Sequence, residues 1–265
     1  MFSNSKCEQA SRLLYVIQQA ANPLPSKARG EGTRDASLAL DTRPSSLDSL
    51  GGHFLAAEYN NNSIICLSVQ EVGGVVQGAV YPFSKPTSAE APLSATPNSG
   101  GKPVPQDSSS FIGPICIGLS PTGDIYVGGF QDGGWAGGLN MGDIVKLTPE
   151  GDLPNGLREI RATSRGFDLE FFHPVDVELA RQTSQYKISG YTRAWKGDYA
   201  TPDSDRHTGE VTDAKLDDAA RTVSLTVNGL KPGHVYEVSV GEIGRPDQRI
   251  LWPAIGHYTL HCIPE

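Results

Sequence analysis

The sequence predicts an all-β protein whose C-terminal part, residues 156–265, is an immunoglobulin-like β-sandwich. Three observations carry that expectation. Gly and Pro supply 30 and 19 of the 265 residues, a richness in turn formers that favours many short strands over long helices. After Asn155-Gly156, seven alternating runs follow one another: LREIRATS, GFDLEFF, YKISGYTRAW, GEVTDAKLD, TVSLTVNGL, VYEVSVGEI and YTLHCIP. Strand candidates about eight to fifteen residues apart are the signature of a two-layer sandwich. Within TVSLTVNGL, Val223, Leu225 and Val227 fall on one face, while Ser224 and Thr226 fall on the other, as the two-residue period of a strand requires.

The chain before residue 156 reads differently. In residues 1–48, QASRLLYVIQQA suits one short helix, and PLPSKARGEGTRDASLALDTRPSSLDSL has little periodicity of either kind. This is the expected poorly structured N-terminal segment. From residue 49 strands are expected again. HFLAAEY and SIICLSVQEV are separated by Asn60-Asn61-Asn62, and Gly73-Gly74 leads into VVQGAVYPF. Asn and Gly tolerate the positive φ that tight turns need, so three short antiparallel strands follow, resembling most of one propeller blade or one sheet of a barrel. Residues 84–110 are rich in Pro, Ser, Gly and Ala and cannot bury enough surface to offset the entropy of ordering. They are expected to form a flexible surface loop. FIGPICIGLSPTGDIYVGGF and IVKLTPEGDLP then add further strands; phrases of the SPTGDIYVG kind recur once per blade in six-bladed propellers.

Composition narrows the function classes. A net charge of −8 with no long basic run argues against nucleic acid, whose phosphates demand clustered Lys and Arg. No apolar stretch reaches the ~18 residues of a membrane-spanning helix. The N-terminus lacks the basic start and long apolar core of a secretory signal. Four scattered cysteines, Cys7, Cys66, Cys116 and Cys262, form no CxxC or CxxCH, so zinc ribbons and haem attachment have no motif. Cys66 and Cys116 lie in apolar runs and are expected to be buried free thiols, with a disulfide as the competing reading.

The run FLAAEYNNNSIICLSVQEVGGVVQGAVYPF resembles the closing blades of the glucose/sorbosone dehydrogenase-type propeller, most closely in large multi-domain proteins of planctomycetes and related bacteria. Val69 to Phe83 and Ser120 to Trp135 carry two phrases of that likeness. GFDLEFFHPVD, TPDSDRH, TVSLTVNGLKPGHVYEV and HYTLHCIP resemble, in order and spacing, the immunoglobulin-like domain that follows that propeller. The resemblance implies two closing blades over residues 49–155, a secreted (periplasmic or extracellular) setting, and a PQQ cofactor with calcium. The family's catalytic and cofactor-binding residues lie in blades for which this chain has no counterpart, so none is carried over, and the frequent cytochrome partner is missing. The expectation is a non-catalytic C-terminal fragment with a structural or weak ligand-binding role. The alternatives are part of a quinone-dependent sugar or alcohol dehydrogenase, and a carbohydrate-binding module.

Two clusters stand out as sites. Asp203, Asp205 and His207 in TPDSDRH alternate so that all three can point to one side, where hard oxygens would suit calcium; a solvated polar loop is the competing reading. Trp195, Asp198 and Tyr199 could form a sugar platform, an indole face against a ring and a carboxylate accepting hydroxyls, against the plainer reading of strand-end packing. GGFQDGGWAGGLNMGD lacks GxxxxGK[ST] and is read as close-packed turns. His53 and Glu58 fall on one expected strand, and His257 and His261, four apart, share a strand face, but either pair needs a convergent partner to act as acid or base. The partners so implied are a carbohydrate or other domains of a larger protein.

Overall fold

The structure is a computed structural model. It describes residues 18–19, 50–59, 61–84, 111–120, 124–131, 140–147, 153–194 and 201–265.

It is almost all β. The strands before residue 156 are β1 (Gln18–Gln19), β2 (Phe54–Glu58), β3 (Ser63–Val72), β4 (Val75–Pro82), β5 (Pro114–Leu119), β6 (Ile125–Gln131) and β7 (Met141–Leu147). After it come β8 (Leu157–Ala162), β9 (Gly166–Phe171), β10 (Tyr186–Thr192), β11 (Ser204–Leu216), β12 (Thr222–Asn228), β13 (His234–Val240) and β14 (Ile255–Leu260). A one-turn helix, Val177–Ala180, and a 3-10 turn, Thr183–Gln185, sit between β9 and β10. The helix is capped by the Asp176 carboxylate, which accepts from the N–H groups of Glu178 and Leu179.

One sheet runs β1-β2-β3-β4-β14-β13-β10-β11-β12-β9-β8, and a second runs β5-β6-β7. The large sheet doubles back on itself at β11. Residues from Ser204 to Gly209 pair with β10, whereas Glu210 to Leu216 pair with β12. Gly209 marks the change of partner: a Cβ there would meet Val227 Cγ1 at 2.9 Å and Ile188 Cγ2 at 3.0 Å. Beyond it, β12, β9 and β8 form a second layer, and β8 comes against β3, β4 and β14.

The core lies between these layers. Phe167, Leu169, Val223 and Leu225 from one layer meet Ile188, Tyr236, Val238 and Tyr258 from the other. Phe167 packs on Tyr236 and Tyr258 at ring-centroid distances of 5.8 and 5.4 Å, and complete burial of such a ring stabilises by roughly 1.5–3 kcal/mol. Val223, Leu225 and Val227 face inward and Ser224 outward, as their alternation predicts.

Hydrogen bonding runs straight across the boundary expected near residue 155, because β4 pairs with β14 through Val80↔His257 and Ala79↔Tyr258. Polar side chains fasten the same seam. The Gln70 side chain donates to the Ala162 carbonyl (3.0 Å) and accepts from the Ala162 N–H (2.8 Å), acting as a strand partner for β8. The fully buried Tyr81 hydroxyl accepts from the Ile160 N–H at 2.6 Å. Gln77 accepts from the N–H groups of His261 and Cys262 and donates to the Cys262 carbonyl.

The hairpin turns behave as their residues dictate. Asn62 has φ 49°, and Gly73 and Gly74 have φ 58° and 79°. The small sheet leans on the large one through β2 and β5, and Ile117, Ile125 and Val127 join the common core. Two expectations need correction. Gln18 and Gln19, placed by sequence in a helix, are a short strand paired with Leu55 and Phe54; the rest of that helix and almost all of the loop 84–110 lie outside the described residues. Cys66 is buried, but Cys116 is exposed, because the bulge that shifts the β5–β6 register between Pro114 and Cys116 turns it outward beside exposed Ile115.

Candidate functional site

The principal cluster of chemistry-bearing side chains forms around Gly190, in the middle of β10. Its neighbours across the ladder are His207 on β11 and Tyr236 on β13. Strands on either side of β10 lie ~9–10 Å apart, so their side chains ordinarily meet only over an intervening one. Gly190 has none. A Cβ at this position would stand 2.6 Å from His207 Cε1 and 2.7 Å from Tyr236 Cε1. The vacancy lets the His207 ring lean over β10 until it lies 5.3 Å from the ring of His234, the first residue of β13, and 5.8 Å from that of Tyr236.

Asp205 completes the group. It has φ 47°, a left-handed conformation that Asp tolerates better than most residues, at a bulge where the β10–β11 register shifts between Gly190 and Thr192. Its Oδ2 accepts from His234 Nε2 at 2.9 Å, and Lys231 Nζ donates to both carboxylate oxygens at 3.0 and 3.2 Å. Hydrogen bonds from Lys231 and then His234 hold the Asp205 carboxyl below its ordinary pKa. Lys231 and Asp205 are each about half exposed, so their ion pair is weak.

Backbone carbonyls set the orientation of both imidazoles. His207 Nδ1 donates to Asp205 O at 3.0 Å, and His234 Nδ1 donates to Pro232 O at 3.1 Å. A carbonyl can only accept, so each Nδ1 carries a proton; His234 Nε2 faces Asp205 Oδ2, and His207 Nε2 lies 3.4 Å from the Tyr236 hydroxyl. A carboxylate oxygen and one nitrogen of each imidazole all lie within 4.8 Å of one another. Asp205 is exposed, His207 half-buried and His234 buried, so the cluster opens to solvent on the Asp205 side. Beneath it, the Tyr236 hydroxyl accepts from the Lys231 N–H at 2.5 Å and donates to the Lys231 carbonyl at 3.3 Å. That loop is thereby fixed to the core.

Of the sequence-nominated set Asp203, Asp205 and His207, the last two come together and His234 joins them. Asp203 turns to the opposite face, where Arg193 binds its Oδ1 at 2.8 Å and Arg206 its Oδ2. Burial raises the Asp203 carboxyl, but hydrogen bonds from Arg206 and Arg193 outweigh it and hold the group below its ordinary value. Both guanidinium groups also lie over the Tyr191 ring, Arg206 at 4.7 Å. The bulge explains the division: one extra residue between Ser204 and His207 reverses the alternation on which the sequence reading relied. His234 lies 29 residues from Asp205, and no spacing motif links the two.

Trp195, Asp198 and Tyr199 lie outside the described residues. His53 is buried with its ring nitrogens on the carbonyls of Leu50 (3.2 Å) and Arg158 (3.0 Å). Glu58 Oε2 accepts from Asn61 N–H and the Ser63 hydroxyl across the β2–β3 turn. His257 lies within β14, and His261 follows its end. A small apolar cleft of about 70 Å³ is lined by Tyr81, Phe83, Leu157, Phe172, Trp252 and Pro253 among others. No helix among the described residues is long and apolar enough to cross a membrane. No family model, curated protein or solved structure matches the chain.

Proposed function

We propose that the chain is a non-catalytic module with a structural and ligand-binding role, in which propeller-type blades precede an immunoglobulin-like sandwich within a larger secreted protein. The observation that carries this reading is the strand order of the C-terminal part. Lettered A to G in chain order, β8 to β14 run A-B-E-D in one layer and C-F-G in the other, the arrangement of immunoglobulin domains. Tyr236 adds support. It stands near the start of the sixth of these strands, and its hydroxyl returns to the backbone of Lys231, as in the tyrosine corner of such sandwiches. For the blades, support comes from the antiparallel meanders β2-β3-β4 and β5-β6-β7 together with the sequence phrases they carry.

A non-catalytic role is favoured by what the acid–base candidates do. His53 is bonded to two main-chain carbonyls and Glu58 braces a turn, both structural tasks. The test is a dye-linked dehydrogenase assay on the purified chain, supplied with PQQ and calcium and offered sugars and alcohols. No substrate-dependent reduction is expected. Reduction above the cofactor blank would overturn the proposal in favour of a quinone-dependent dehydrogenase.

A further inference from the structure

The geometry points to a binding site for a divalent transition-metal ion, zinc foremost, ligated by Asp205 Oδ2, His207 Nε2 and His234 Nε2. The inference stands apart from the propeller and sandwich readings, since it rests on three side chains and the backbone that holds them.

Four features support it. The donor set is two imidazoles and one carboxylate, with the three ligand atoms within 4.8 Å of one another. Tetrahedral zinc, with bonds of about 2.0–2.2 Å, sets its ligand atoms roughly 3.4 Å apart. The observed group therefore closes on an ion with side-chain shifts of about an ångström. Second, each histidine donates its Nδ1 proton to a backbone carbonyl, Asp205 O for His207 and Pro232 O for His234. Metal-binding histidines are oriented by such outer bonds, which leave Nε2 for the ion once it displaces the proton that His234 Nε2 gives Asp205.

Third, the backbone is specialised to bring these groups together. Gly190 leaves open the space through which His207 crosses β10, and the left-handed Asp205 at the bulge keeps its carboxylate on the histidine face while Asp203 is sent to the other. Fourth, the site is open on one side, as Asp205 is exposed, so water can fill the remaining coordination positions. Lys231 occupies Asp205 through an ion pair between half-exposed groups, which an entering dication displaces at little cost. Imidazole donors favour zinc, nickel or copper over calcium and magnesium, which prefer all-oxygen sites.

The experiment is titration of the full chain with zinc chloride by calorimetry, with cobalt(II) as a spectroscopic probe. One ion should bind, and cobalt should give a tetrahedral or five-coordinate d–d spectrum without a thiolate charge-transfer band, which separates this site from any formed by cysteines. His207→Gln and His234→Gln should each weaken binding at least about tenfold, Lys231→Met should strengthen it, and Asp203→Asn should leave it unchanged. Far-UV circular dichroism of each variant checks folding; His207, half-buried, is the safer of the two histidines to replace. Three results would each overturn the inference: a folded wild-type chain that takes up no zinc, binding undiminished in folded His207→Gln, or calcium competing on equal terms with zinc. The dehydrogenase assay is indifferent to all three, so the two proposals fail separately.

Discussion

Tyr236 holds two jobs in one side chain. Its ring fills the core against Phe167, and its hydroxyl ties down the Lys231 loop from which His234 emerges. Tyr236→Phe keeps the ring and strands the Lys231 N–H in a part-buried setting. We expect a loss of about 1–3 kcal/mol in urea unfolding. Gly190→Ala should cost at least ~1–3 kcal/mol by overpacking, since the new methyl would meet two aromatic rings at 2.6 and 2.7 Å. Gly118→Ala is the matched control, with nothing within 4 Å of the added Cβ, and should unfold with nearly the native midpoint. The thiols divide in the same residue-by-residue way. Burial pushes the Cys66 thiol up to about 12, so it is protonated and shielded, whereas Cys116 is exposed. A thiol-alkylating reagent followed by peptide mapping should modify Cys116 in the native protein and Cys66 only after denaturation.

At the scale of elements, glutamine side chains replace missing strand neighbours. Gln70 satisfies both backbone groups of Ala162, so Gln70→Ala should leave β8 open on that side. Hydrogen exchange should then quicken at Ala162, with about 1–3 kcal/mol lost overall. Gln70 also shows what sequence reasoning could reach. β3 was legible from alternation, and so were β4, β8, β9, β12 and β13, because burying one face imposes a two-residue period that the residue types display. The Asn62 and Gly73-Gly74 turns were legible because few residues tolerate their φ. The bulge at Asp205 was not. One inserted residue reverses every later facing assignment, yet carries no distinctive residue type when Asp takes the left-handed conformation in place of Gly. That single slip enrolled Asp203, while His234, 29 residues from Asp205 on another strand, left no local mark.

For the whole molecule, acid and alkali act through different groups. The carboxyls of Asp203, Asp217 and Asp176 lie below their ordinary pKa in the folded state. Their stabilisation is thus complete above about pH 4 and is lost as pH falls through the folded values. Cys66 is displaced the other way, from 9.0 to about 12, and Tyr258 from 10.0 to about 12. These groups favour the fold fully below the ordinary values and cease to do so as pH climbs toward 12. Urea midpoints should accordingly hold steady between about pH 5 and 8 and decline on both flanks. Which distant strands pair was beyond sequence reading, because hydrogen-bond partners are chosen by the global packing of layers and leave no local mark. The union of β4 with β14 is the main instance, and it has a consequence for how the protein stays dispersed. A piece cut away at residue 156 would lose β4 and bare the N–H and C=O groups along one side of β14, inviting a second copy to add its own strand. β4 is therefore a sheath on a sticky margin. Light scattering should find the 156–265 piece self-associated at concentrations where the full chain is not.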